Sequence, residues 1–181
     1  MVALLLIDIQ NDYFPGGAME VPDAETVAEK ASGMVATFRE KSLPVIHIQH
    51  IAARRGARFL LPGTHGAEIH VSVAPAPGEP VFQKHFPSAF HQTPLLDHLR
   101  GSGLSRLVIA GMMTQMCIDS TVRAAQDLGF RSSLASDACA ARPMSFGGVT
   151  VSADSVQAAF LSALDGLFAK VAPAGELIAG L

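Results

Sequence analysis

The chain has 181 residues, 49% hydrophobic and 16% charged, enough to fill one sizeable core, so a single domain is expected over residues 1–181. Thirteen Lys and Arg against sixteen Asp and Glu give a net charge of -3, and the only basic cluster is Arg54, Arg55 and Arg58, so no nucleic acid partner is expected. The apolar run Met1–Ile7 is far shorter than the ~20 residues that cross a bilayer and lacks a basic start and a cleavage site. Two cysteines, Cys117 and Cys139, fit free thiols in a reducing cytoplasm, with neither a disulfide framework nor a membrane role.

Residues Met1 to Ile9 form an aliphatic run without alternation, the pattern of a strand buried on both faces of a parallel sheet. After the turn-rich stretch Asp12 to Gly17, the spacing of Val27, Ala31, Met34, Val35 and Phe38 behind a capping Asp23 predicts a helix. Pro44 ends it, and Val45 to Gln49 reads as a second strand on its β-branched content. His50 to Pro80 shows no period; connections of that length are commonly pocket walls or lids. Val81 to Gln83 gives a third strand, and Thr93-Pro94 opens a helix with Leu95, Leu96 and Leu99 inward, ended by Gly101. Arg106 to Ala110 is a fourth strand, and a helix follows with Ile118, Val122 and Ala125 inward, capped by Thr114 and closed by Gly129. Arg131 to Ser136 is a fifth strand. A helix capped by Ser152 turns Val156, Ala159, Phe160, Ala163, Leu164 and Leu167 inward, and Phe168 to Val171 is a sixth strand.

This alternation, with right-handed crossovers, predicts an α/β fold in three layers: an open, mostly parallel sheet of about six strands with helices on both faces. Ligands of such sheets bind beyond the carboxyl ends of the strands. Four reactive side chains fall there: Asp8, Lys84, Cys117 and Asp137. Cys117 is expected in the first turn of its helix, where free N–H groups and the dipole favour a thiolate. A carboxylate that takes the thiol proton and an ammonium that holds the charge complete a nucleophilic set. Singly, each has a blander reading: a buried small apolar residue, a turn former, a solvated lysine. Together at one sheet edge they favour chemistry.

Three blocks carry a resemblance: Leu4 to Phe14 around Ile7-Asp8-Ile9-Gln10-Asn11-Asp12, then Lys84 with Ser88-Ala89-Phe90, then Gly111-Met112-Met113-Thr114-Gln115-Met116-Cys117. In that order and at those separations the chain resembles the isochorismatase-like cysteine hydrolase superfamily, whose domain is Rossmann-like. The resemblance implies an Asp–Lys–Cys triad of Asp8, Lys84 and Cys117 that hydrolyses carbon–nitrogen bonds of small amides and ureido compounds. It also implies a non-proline cis peptide at Met112–Met113, with the N–H groups of Met113 and Cys117 as the oxyanion hole. Without the resemblance, the two methionines read as soft core filler. Asp137 matches a supporting block, and Cys139 reads as a buried thiol.

Seven histidines invite a metal reading. The resemblance places an Asp-x-His pair after the second strand of nicotinamidases, whereas here no Asp lies between Asp23 and Asp97. His47 and His50, three apart on a strand, point to opposite faces. No metal and no cofactor are therefore expected, the histidines being solvent-facing or hydrogen-bonded, and nicotinamide loses support as substrate. No glycine pattern forms a phosphate cradle. Gln10, Phe14, Phe59 and Phe86 are the candidate lining of the substrate pocket, and the three arginines are either a carboxylate site or simply solvated. Two alternatives stay open: a vinyl-ether hydrolase of the isochorismatase type, against which Cys117 argues, and a binding protein that has lost catalysis. A small-molecule substrate and a homodimer or homotetramer are the expected partners.

Overall fold

The computed structural model describes residues 1–181. Elements follow in the order β1 (Val2–Ile7), α1 (Ala24–Glu40), β2 (Val45–His50), β3 (Val81–Lys84), α2 (Leu95–Gly101), β4 (Arg106–Met112), α3 (Asp119–Asp127) and β5 (Arg131–Ala140). Then come β6 (Met144–Phe146), β7 (Val149–Val151), α4 (Ala153–Leu164), β8 (Lys170–Ala172) and α5 (Ala174–Ala179). Six strands make one parallel sheet in the order β3-β2-β1-β4-β5-β8. The chain builds outward from β1 to β3, returns to β4, and then builds the other way, so the topological switch lies between β1 and β4.

Every residue of β1 is buried, as its unbroken aliphatic run requires. Alternation sends Val2, Leu4 and Leu6 to one face, against Val27, Ala31, Met34 and Phe38 of α1. Ala3, Leu5 and Ile7 go to the other, against Leu95 and Leu99 of α2 and Val122 and Ala125 of α3. Each fully buried aliphatic side chain contributes roughly 1.5–3 kcal/mol, and these two layers fix the strand ends that carry the site. Gly111 makes the junction possible. It pairs with Ile7 at a φ of 136°, and a Cβ there would overlap the Ile7 carbonyl.

Several expectations are corrected. Asp23 adopts a left-handed φ of 61° and its side chain makes no capping bond to α1; its backbone carbonyl accepts from Val27 instead. Thr114 does not cap either: it is the first residue of a π-helical turn, Thr114–Ile118, that precedes α3, and its hydroxyl is buried without a partner. On α4, only Val156 and Leu164 are fully buried; Ala159 and Ala163 face outward, and Leu167, beyond the helix end, is 70% exposed. Ser152 does cap α4, accepting from the Ser155 amide. The β5 strand runs past Ser136 to Ala140 because its register shifts between the Ile109–Leu134 and Gly111–Cys139 pairs, a bulge invisible to a propensity reading. The β6–β7 hairpin, turned by Gly147 and Gly148 at positive φ, and the short α5 lie outside the expected elements. No helix is long and apolar enough to cross a membrane.

The far edge of the sheet is tied by Glu79. It takes two bonds of 2.8 Å from Arg39 and one from the Ala76 amide, and lies 2.9 Å from Nε2 of the buried His47. The Arg39 hydrogen bond is the main reason the Glu79 carboxyl is held down at about 2. A carboxyl lowered on folding adds stability above its unfolded value, and that contribution disappears as pH falls through the folded value. Glu79→Gln is expected to cost of order 1 kcal/mol near neutral pH, Arg39 being solvent-screened, in denaturant melts against the parent. The gap between the two proteins should narrow as pH drops below 4.5 and close by about 2. Gly111→Ala is expected to lose roughly 3 kcal/mol or more in the same melts, because the clash is with backbone that cannot yield.

Candidate active site

The carboxyl ends of β1, β3 and β4 converge on one buried group of polar side chains. Asp8 follows β1 with a left-handed φ of 52°, its amide bonded to the Ile48 carbonyl, so the chain leaves the sheet sharply and the carboxylate stays inside. Lys84 ends β3, two strands away from β1, a lateral gap of roughly 10 Å that only a long side chain can bridge. Cys117 sits in the wide turn after β4. The three are 0%, 1% and 7% exposed respectively.

Lys84 Nζ lies 2.7 Å from Asp8 Oδ2, 3.2 Å from Cys117 Sγ, 3.0 Å from His50 Nδ1 and 3.1 Å from the Phe86 carbonyl. Oxygen, imidazole nitrogen and sulfur of Asp8, His50 and Cys117 lie within 4.8 Å of one another, close enough to share one cation. The Lys84 ammonium is within hydrogen-bond reach of all three, so the fold already supplies a positive charge where a metal would gather these ligands. Burial works against that ammonium, but the Asp8 and Cys117 charges outweigh it and raise the lysine pKa. Burial also pushes the Cys117 thiol well up, with Asp8 adding to the rise and Lys84 opposing it. Desolvation in the π turn thus works against the helix-stabilised thiolate expected from the sequence, while the Lys84 ammonium favours it.

His50 is the site residue that sequence reasoning misses. The sequence leaves it as a solvated or hydrogen-bonded histidine once the metal reading is set aside; β2 ends at His50, so it sits at a strand end like the others. Burial, and then the Lys84 charge, lower its pKa, so it accepts from Lys84 as the neutral ring. His47 takes the hydrogen-bonded alternative expected for the histidines: it is buried and its Nε2 meets Glu79.

The expected pocket residues divide. Gln10 is fully buried and its amide is spent on the backbone: Nε2 donates to the His50 and Ala67 carbonyls, and Oε1 accepts from the His50 amide. Phe14 is buried and stacked on His70 with ring centroids 3.7 Å apart. Phe86 reaches the site through its carbonyl, while its ring meets His91 edge-on. Phe59 lines a cavity of about 510 Å³ together with His50. Asp137 lies in the β5 bulge and accepts from the Ala174 amide at 2.6 Å, so it anchors α5 and does not join the other three. Cys139 is buried and free. The Met112–Met113 peptide is cis.

The long connection is pinned beside this group. Asp12 accepts from the Leu60 and Ala18 amides, Asn11 donates to the His65 carbonyl, and Gly66 packs so closely on the Asp12 carboxylate that a Cβ would not fit. The Ser88-Ala89-Phe90 block acts in a comparable way, since the Ala89 amide donates to Thr121 of α3 and fixes the turn that follows Lys84.

Comparison with known proteins agrees with this architecture. Residues 2–174 match the family model described as the isochorismatase domain. The chain is 44% identical over 169 residues to the isochorismatase family protein YddQ of Bacillus subtilis, covering 93% of this chain and 94% of that one. It is 32% identical over 143 residues to the maleamate amidohydrolase of Pseudomonas putida, covering 71% of this chain and 67% of that one. Among solved structures, an isochorismatase hydrolase from Oleispira antarctica superposes with a TM-score of 0.95 at 47% identity, over 99% of this chain and 96% of that one. On sequence and fold alike, the chain belongs to the isochorismatase family.

Proposed function

We propose that the protein is a cysteine hydrolase that cleaves a carbon–nitrogen bond of a small amide or ureido substrate through a thioester on Cys117. The observation that carries this reading is the buried ammonium of Lys84, 2.7 Å from the Asp8 carboxylate and 3.2 Å from the Cys117 sulfur. The resemblance to an amidohydrolase supports it.

The steps follow from that geometry. Asp8 Oδ1 has no hydrogen-bond donor and is free to take a proton. As Cys117 sulfur attacks the carbonyl carbon, its proton passes to Asp8, the carbon–sulfur bond forms, and the carbonyl electron pair moves onto oxygen. The amides of Met113 and Cys117 are the proposed donors to that oxyanion. When the carbon–oxygen double bond reforms, the carbon–nitrogen bond breaks and Asp8 returns its proton to the departing nitrogen, which leaves as ammonia or an amine. Asp8 then takes a proton from water as water attacks the thioester; the carbon–sulfur bond breaks, the proton returns to sulfur, and the acid is released. Lys84 orients Asp8 and stabilises the negative charge that develops on sulfur as its proton leaves and again as the thioester breaks. Because burial pushes the Cys117 thiol up, deprotonation and attack are coupled.

The test is ammonia release from a panel of primary amides and ureido compounds, nicotinamide included. Cys117→Ala should lower kcat/KM by at least about 10⁴-fold while melting like the parent. Lys84→Met should lower it by about 10²–10³-fold, since the charge opposite the developing anion is lost. Retention of most of the activity by the cysteine variant would overturn the mechanism, and unchanged rates in the lysine variant would reduce Lys84 to a structural charge.

A further inference from the structure

Resting on that reading, we propose that the substrates are amides that also carry a carboxylate, seated with the carboxylate against Arg54 and Arg58. The cavity of about 510 Å³ beside the site is walled by His50, Arg54, Arg58, Phe59, His85 and Met19, and no Asp or Glu lines it. His50 is the shared wall: it lines this cavity, and a nitrogen of its ring lies within 4.8 Å of the Cys117 sulfur. The proposed substrate places its carbonyl at Cys117 and its carboxylate beyond His50, at the two guanidinium groups of the cavity wall. Phe59, Met19 and three alanines give the passage an apolar side that suits a short hydrocarbon stem.

The loop that presents the arginine pair is anchored through its backbone, and both arginine residues are exposed. The loop that carries it is closed at its neck by the Ala52 amide bonding to the Leu60 carbonyl, and Leu60 is itself buried and held by Asp12. Inside the loop, the Ala57 amide bonds to the Arg54 carbonyl across a turn with Gly56 at a φ of 82°. Arg54 and Arg58 line the cavity, whereas Arg55, in the middle of the turn, does not. Neither Arg54 nor Arg58 pairs with a carboxylate of the protein, in contrast to Arg39 with Glu79 and Arg123 with Asp119. His50, accepting from Lys84 at Nδ1, carries its proton on the other ring nitrogen and adds a neutral donor. Two unpaired guanidinium groups and an imidazole donor, with no acceptor carboxylate among them, select an oxyanion, and the planar forks match a carboxylate.

The test uses the full chain and three probe pairs: malonamate, succinamate and glutaramate, each beside its methyl ester. Calorimetry on Cys117→Ala reads binding without turnover. At least one free acid is expected to bind about tenfold or more tighter than its ester, and the difference should shrink as NaCl is raised. Adding Arg54→Ala and Arg58→Ala in that background should bring acid and ester to within about twofold, while Arg55→Ala keeps the difference. Equal affinity within all three pairs, or a preference that survives loss of both arginines, overturns the anion site. The mechanism is read separately from ammonia release by the unsubstituted protein. Acid preference in binding, with ammonia release that is indifferent to Cys117, would uphold the anion site and remove the thioester reading.

Discussion

The site is organised by one buried ammonium. Taking the Lys84 charge out of water costs several kcal/mol, and it is stable in place only because Asp8, His50, Cys117 and the Phe86 carbonyl surround it. That requirement explains neighbouring features that are otherwise unrelated. Asp8 needs an unusual backbone conformation to keep its carboxylate inside, and Gly111 must lack a side chain so that β4 can lie against the strand Asp8 leaves. The lysine must come from β3, because its stem is the only one long enough to pass β2.

A division of labour follows. The proposed reacting groups stand at or just beyond the carboxyl ends of β1, β3 and β4, of which β1 and β4 run between two core layers, while the arginines stand on a loop tied down at its neck. Rigid strand ends suit the tight geometry of proton transfer, and a loop anchored at its base can change residues without disturbing them. Gln10 and Asp12 join the two parts: neither reacts, yet both clamp the long connection onto the exit of β1.

The parts of the molecule legible in the sequence are those with a strong local signal. The aliphatic run of β1, the helical spacing of α1, and polar residues directly after apolar strands lead to Asp8, Lys84 and Cys117, and the structure brings these three together. Where local signals fail, longer-range packing overrules them. Gln10 lies in a block that carries the resemblance and is expected in the pocket, yet its amide is consumed by the backbone of two other segments. Asp137 meets the same strand-end criterion as the others, but the β5 bulge turns it toward α5. His50 stays hidden because the sequence weighs it only as a metal ligand beside His47, and its contact with Lys84, 34 positions away, has no local signal.

The sequence by itself determined the fold class, the order of the sheet-forming segments and the chemical types gathered at their ends, because burial periodicity and strand termini are local properties of the chain. The tertiary structure alone decided the desolvation that pushes the Cys117 thiol up, the place of His50 beside the ammonium, and which arginines line the cavity. Those depend on desolvation and on distances between groups 33 to 76 positions apart, quantities that exist only once the strands are side by side.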